Sequence, residues 1–224
     1  MSAERRIKTA ELLSAESAYI SRLFDSTEYA WEIIPRIKEY IKELISGGID
    51  GFCEISPGVL VGRGVKIAPS ATIEPPAVIG DGTQIRPGAF LRGNVIIGAE
   101  CVIGNSCEIK NSVIADKAQI PHYNYVGDSA LGYHAHMGAG AVCSNLKLDG
   151  SNIAVTLDKR YETGLRKLGA ILGDNTDIGS GCVLNPGTII GKRSAAYPLL
   201  SLRGVYPENS IIKDSKNFTL RKDK

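Results

Sequence analysis

Between Ile49 and Ile109 an aliphatic residue falls at every sixth position: Ile49, Ile55, Val61, Ile67, Ile73, Ile79, Ile85, Leu91, Ile97, Ile103 and Ile109. An amphipathic helix needs apolar residues three and four apart, and a half-buried strand needs them two apart. A strict period of six fits neither and marks a hexapeptide-repeat solenoid, a parallel β-helix of short stacked coils. Four residues after each aliphatic comes a small side chain, as at Cys53, Val59, Ala71, Ala77, Ala89, Cys101 and Cys107. Residues two apart in a strand share a face. The aliphatic and the small residue therefore both point inward, on either side of a turn. Gly62, Gly80, Gly98 and Gly104 follow aliphatics and suit tight corners. Three hexads make one triangular coil of about eighteen residues. Solenoids built on this hexad are left-handed, an exception to the usual crossover rule. The expected fold class is all-β: a left-handed parallel β-helix of hexapeptide repeats with an N-terminal α-helical segment.

Residues 1–48 carry the helical pattern. Leu12, Leu13, Ala15, Tyr19, Ile20 and Leu23 keep a helical spacing, and so do Ile33, Ile34, Ile37, Tyr40, Ile41 and Leu44. Asp25, Ser26 and Thr27 are cap and turn residues. Pro35 kinks the second stretch or starts a fresh helix, and Gly47-Gly48 ends it. Trp31 and the apolar stripe need a surface to bury against. The open end of the solenoid, with its unpaired strand edges, is the simplest one, so this segment reads as a cap or a contact between subunits. The β-helix is expected over 49–212. Its phase slips by one after Ile109, to Ile114, Ile120 and Val126, and again at Leu131. Extra residues at such slips are expected to bulge outward and to carry function. An arm replaces the hexad over about 145–167, where Ile153, Val155 and Leu157 alternate as in a short hairpin. The repeat resumes at Leu172, Ile178, Leu184 and Ile190, and residues 213–224 form a basic tail expected to fray.

A net charge of +2 implies no nucleic acid or other strongly charged partner. No run approaches the roughly 18 apolar residues of a membrane span, and Met1–Lys8 is polar, unlike a signal peptide. The expected location is the cytoplasm, with no membrane contact. Cys53, Cys101, Cys107 and Cys182 stand at small inward positions and Cys143 at an aliphatic one. They read as reduced core residues.

All three histidines, His122, His134 and His136, lie around the phase slip. Imidazole is the side chain suited to moving protons near neutral pH. His134-x-His136 would put two imidazoles on one strand face, but no third ligand stands at a familiar spacing, so no metal site is assigned. Arg86 and Lys110 directly follow inward aliphatics and so point outward. They are solvated, or they face a cleft between subunits and hold a phosphate.

Residues 120–150, IPHYNYVGDSALGYHAHMGAGAVCSNLKLDG, are followed by TGLRKLGAILGD at Thr163–Asp174. This pattern resembles the acetyltransferase domain of the bifunctional glucosamine-1-phosphate acetyltransferase/N-acetylglucosamine-1-phosphate uridyltransferase family. It is similar too to the solenoid domains of archaeal-type sugar-phosphate nucleotidyltransferases. The resemblance covers about residues 50–195. It implies an acetyl-CoA-dependent N-acetyltransferase acting on an amino-sugar phosphate such as glucosamine 1-phosphate, with the site between subunits of a homotrimer. It makes His122 the general base. Arg86 and Lys110 match the phosphate-holding cations, and Tyr125 and Asn145 match sugar contacts. His136, Ala139 and Ser180 match positions along the acetyl-CoA groove. A backbone N–H near the Gly138-Ala139-Gly140 turn would polarise the thioester carbonyl.

This chain departs from that family in two places. His136 replaces an Asn, and Leu146 replaces a Tyr. Residues 1–48 contain no Gly-rich nucleotide-binding loop, so pyrophosphorylase activity is not expected. The departures leave a second reading, a non-catalytic trimerising or sugar-phosphate-sensing module. A third, suggested by the three histidines, is a zinc enzyme like the γ-class carbonic anhydrases.

Overall fold

The computed structural model describes residues 6–214 and 217–221. They form a parallel β-helix with three walls, flanked by an N-terminal helical leader. The first wall starts at Val59–Val61, the second at Lys66–Ile67 and the third at Thr72–Glu74. Each later coil adds one parallel strand to each wall, except the last, which adds none to the third. The aliphatic ladder points inward as the hexads require: Ile79, Leu91, Ile97, Ile103, Ile109, Ile120, Leu131, Leu172 and Ile190 are all wholly buried in one continuous core. No helix among the described residues is long and apolar enough to cross a membrane.

The regular stack begins later than the ladder suggests. Ile55 is 51% exposed and Cys53 is exposed. The strand that carries them, Cys53–Ser56, runs antiparallel to Val59–Val61 rather than forming a coil. A six-residue period cannot tell a coil from a strand folded back along its edge. This return strand covers the first strand's free edge. At the other end, Phe218–Leu220 pairs antiparallel with Ser210–Ile212 and covers the last edge of the second wall. That stretch of the tail is therefore paired rather than frayed. Residues 215–216 and 222–224 lie outside the described residues.

The other four cysteines are buried and unbridged. Burial pushes the Cys101 and Cys143 thiols up to about 12. This keeps them protonated and chemically inert.

The helical leader comprises α1 (Thr9–Leu12), α2 (Ala18–Asp25) and α3 (Ile33–Gly47). Pro35 falls in the first turn of α3, where its missing N–H has no partner to lose. Gly48 follows with φ 70°, the conformation glycine supplies at a helix end. The buried stripe of α3, Ile33, Ile34, Ile37, Tyr40, Ile41 and Leu44, does not cover the end of the stack. It joins a second core with Leu60, Val78, Ile96, Val113, Ile171 and Ile189. These are the middle, outward-facing residues of successive first-wall strands. The leader thus lies along the side of the solenoid. The first wall is buried on both faces, so its strands read as unbroken apolar triplets: VLV, AVI, VII, AIL.

Two buried carboxylates fasten the leader. Asp116 accepts hydrogen bonds from the Glu16 and Ser17 N–H groups at 2.7 and 2.9 Å and from the Ser17 hydroxyl. Asp174 accepts from the Ser14 N–H and hydroxyl at 2.9 and 2.8 Å and pairs with Lys192 at 2.7 Å. The Tyr19 hydroxyl donates to the Ile97 carbonyl at 3.0 Å.

Coil length varies at one corner only, where the third wall turns into the first. Val59 pairs with Ala77, a full coil of 18 residues. Val95 pairs with Ser112, a coil of 17. The phase slip is therefore a deletion, not an outward bulge. The shortened turns pass through Asn111 and Asp128, both at positive φ (46° and 48°), a region that Asn and Asp tolerate. One coil later the same corner carries the arm: Ala130 pairs with Ile171, 41 residues on. The arm contains the expected hairpin, Ala154–Thr156 against Arg160–Glu162. It folds back onto the leader, where Tyr161 meets Tyr29 and Trp31 with ring centroids 5.7 and 6.0 Å apart.

Candidate functional site

Two groups of polar residues flank the third wall, one at each of its corners. At the corner entering it, the register stacks Asn105, His122, Ala139 and Ser180 on consecutive coils. The Gly140 N–H donates to the His122 carbonyl at 2.9 Å, and the Gly181 N–H to the Ala139 carbonyl at 2.8 Å. Neighbouring coils lie about 4.8 Å apart, so three residues scattered over 59 positions of sequence meet in one column. The His122 ring is exposed and has no hydrogen-bond partner among the described residues. The Ala139 N–H, one coil above, likewise has no acceptor among them.

The column is held from inside by Asn124, which sequence reasoning did not single out. It is 2% exposed and occupies a small inward position that Ala89, Cys107 and Ala141 fill in neighbouring coils. Its Nδ2 donates to the Gly138 and Ala141 carbonyls at 2.8 and 3.1 Å, while its Oδ1 accepts the His122 N–H at 3.1 Å. One amide therefore ties the His122 backbone to the Gly138–Ala141 turn. A polar residue in an otherwise apolar register was the signal available.

At the corner leaving the third wall, Lys110, Asp128, Tyr125 and Asn145 form a connected cluster. The Lys110 Nζ lies 3.4 Å from Asp128 Oδ2. Asn111 donates to Asp128 Oδ1 at 2.8 Å. Asn145 donates to the other Asp128 oxygen and to the Tyr125 hydroxyl, the latter at 3.2 Å. Asp128 is the hub, 4% exposed. It too was missed as an individual, although it lies within the Val-Gly-Asp stretch. Burial raises the Tyr125 phenol, and the Glu108 and Asp128 carboxylates push it further the same way. Gly127 lets the cluster close: a Cβ there would come within 2.4 Å of the Tyr125 hydroxyl and 2.7 Å of Asn145 Nδ2.

Arg86 and Lys110 do not come together. Arg86 follows the second-wall strand Gln84–Ile85, two coils below His122 at the entering corner. The residue directly beneath Lys110 is Arg92, since Ile109 pairs with Leu91. Arg92 holds Glu108 at 2.6 Å and lies on the same outer face. Sequence spacing hid it, because a 24-residue gap crosses a coil and a wall while an 18-residue gap returns to the same column.

The three histidines separate. His134 sits in the turn before the second wall, with φ 55°. His136 lies on the second wall, its Nδ1 2.7 Å from Asp177 Oδ1 on the next coil. His122 is at the corner. Among the described residues no group of three His, Cys, Asp or Glu side chains could hold a metal ion.

Residues 73–161 match a protein family described as the GMPPB C-terminal domain. Over 169 residues the chain is 36% identical to the bifunctional protein GlmU of Methanococcus maripaludis, an alignment covering 74% of this chain and 41% of that protein. The chain resembles GlmU. It is also 39% identical over 88 residues to a bifunctional sugar-1-phosphate nucleotidylyltransferase/acetyltransferase of Sulfurisphaera tokodaii, covering 39% of this chain and 22% of that one. It therefore spans less than half the length of these curated relatives. Among solved structures, AntD, an N-acyltransferase from Bacillus cereus in complex with dTDP and 3-hydroxybutyryl-CoA, aligns with a TM-score of 0.44 and 17% identity, over 81% of this chain and 86% of that one.

Proposed function

We propose that this chain is an acetyl-CoA-dependent N-acetyltransferase acting on an amino-sugar phosphate such as glucosamine 1-phosphate. The observation that carries the reading is the His122–Ala139–Ser180 column, set about three strand residues from the Tyr125–Asn145–Lys110 cluster. The strand between the two corners, Tyr125–Gly127, is three residues long, about 10 Å in extended geometry. This is a reach suited to one sugar ring and its phosphate.

Each residue has a role in this reading. Lys110 and Arg92, stacked on adjacent coils, bind the phosphate, and Tyr125 and Asn145 hold the sugar. The unpartnered imidazole of His122 takes the proton that the amine loses as it attacks the acyl carbon. The unpaired Ala139 N–H donates to the oxygen that gains negative charge. The acyl donor fits the column because glycines and small residues, Gly138, Ala139, Gly140, Gly179, Ser180 and Gly181, leave the corner open. The donor supplies a thioester whose thiolate leaves as the amide forms. Arg86 lies two coils below His122 at the same corner, where it would meet a ligand reaching down from the column.

A neighbouring subunit completes the site in this reading. Tyr123, Tyr197 and Leu199 are 66%, 50% and 82% exposed at the entering corner. Apolar surface of that kind suits a homotrimer contact. The test is acetyl transfer to glucosamine 1-phosphate. The native chain should turn over, and His122→Ala should lose about 10²–10⁴-fold in kcat with little change in KM. No turnover above background, or equal turnover by the variant, would refute the assignment.

A further inference from the structure

We propose that the root of the arm is a second phosphate-binding site, built by Lys147 and Arg203 at the upper end of the third wall. The register carries one column along the wall's leaving corner: Arg92, Lys110, Gly127, Ser144, Asn185 and Arg203. Lys110 and Arg203 are four coils apart, about 19 Å at 4.8 Å per coil. Between them stand only a glycine and two short polar side chains. The column is thus a shallow strip with cations at both ends.

The two ends differ in charge balance. Below, Arg92 pairs with Glu108 and Lys110 with Asp128. Above, Arg203 has no carboxylate within ion-pair distance among the described residues, and Lys147 donates only to the Ser151 hydroxyl and the Asn152 carbonyl, at 3.4 and 2.7 Å. Two further cations, Arg166 and Lys167, lie on the returning limb of the arm, where Lys167 bridges to Leu146. The one carboxylate close by, Asp149, is already engaged by the Ser151 N–H and hydroxyl at 3.0 and 2.8 Å.

The cations face cavities. One of about 410 Å³ lies between the arm and the third wall, and another of about 270 Å³ lies on the other side of the arm root. Lys147, Pro186 and Arg203 line both. Leu146 and Leu148 add an apolar rim, and Leu148 is fully exposed. Unpaired cations beside apolar walls concentrate anions, because the low-dielectric rim weakens solvent screening. The combination of two free cations and an apolar rim fits the diphosphate of a nucleotide-bearing ligand. A sugar nucleotide and the nucleotide end of an acyl donor both carry that group.

The experiment is calorimetric titration of the full chain with inorganic pyrophosphate at low ionic strength. Binding is expected, weakened at least about tenfold by Arg203→Ala and by Lys147→Ala, partly restored in Arg203→Lys, and undiminished in His122→Ala. Because acyl transfer is not the readout, failure here is distinct from failure of the proposed activity. Displacement of pyrophosphate at lower concentration by uridine diphosphate than by coenzyme A would identify the sugar-nucleotide source, and the reverse order the donor source. No binding, equal binding by Arg203→Ala and Lys147→Ala, or loss in Lys110→Ala alone would overturn the proposal.

Discussion

Asn124 is the residue on which the candidate site depends most and which pattern reading sees least. Its environment is apolar, and its amide is satisfied by the Gly138 and Ala141 carbonyls, the His122 N–H and the Cys107 thiol. Replacing it with alanine removes the side-chain partner of the His122 N–H and the Ala141 carbonyl, while the Gly138 carbonyl keeps the Ala141 N–H; a buried group left unsatisfied costs about 1–3 kcal/mol. Asn124→Ala is expected to lower the urea midpoint by an amount equivalent to about 2 kcal/mol and to reduce any His122-dependent turnover. Full stability in the variant would show that the amide is not a tie. Gly127 acts in the opposite way, by being absent: its missing Cβ is the space in which Tyr125 and Asn145 meet. His122, Lys110, Tyr125, Asn145, Ala139 and Ser180 were legible from motif. Arg92, Asp128 and Asn124 were not, because their roles come from neighbours one coil away.

At the scale of elements, the third-to-first corner absorbs every irregularity of the coil. It loses a residue at Asn111 and again at Asp128, gains the arm after Asn145, and is two residues short before Val205. The other two corners stay regular because the leader covers the turns through Asp116 and Asp174, and the His122 column stacks through backbone hydrogen bonds. The leader's attachment is accordingly testable at Asp116. Asp116→Ala removes the acceptor for two N–H groups of the leader and for Ala99 N–H. Amide exchange in α2 should rise by at least about tenfold, while the coil amides hold. Unchanged protection in α2 would mean that the apolar stripe alone fixes the leader.

The whole molecule has two cores that share the first wall. Its inward side chains close the solenoid, and its outward ones, Leu60, Val78, Ile96, Val113, Ile171 and Ile189, pack under the leader. A chain lacking residues 1–48 should therefore expose a continuous apolar stripe and self-associate or aggregate, although every coil is intact. Light scattering would check this; a soluble particle of unchanged assembly state would contradict it. The repeat by itself determined the coil, the inward ladder and the inserted arm, because these rest on spacing within a few residues and every hexad repeats the same test. What covers each outward face was decided only in three dimensions. Outward residues find partners on elements far off in the chain, as Asp174 does with Ser14 across 160 residues, and no local period records such a contact. The same holds for the corners: coil stacking decides which side chains share a column, and that depends on coil length, so a regular coil of 18 residues sets Lys110 above Arg92 and leaves Arg86 at the opposite edge.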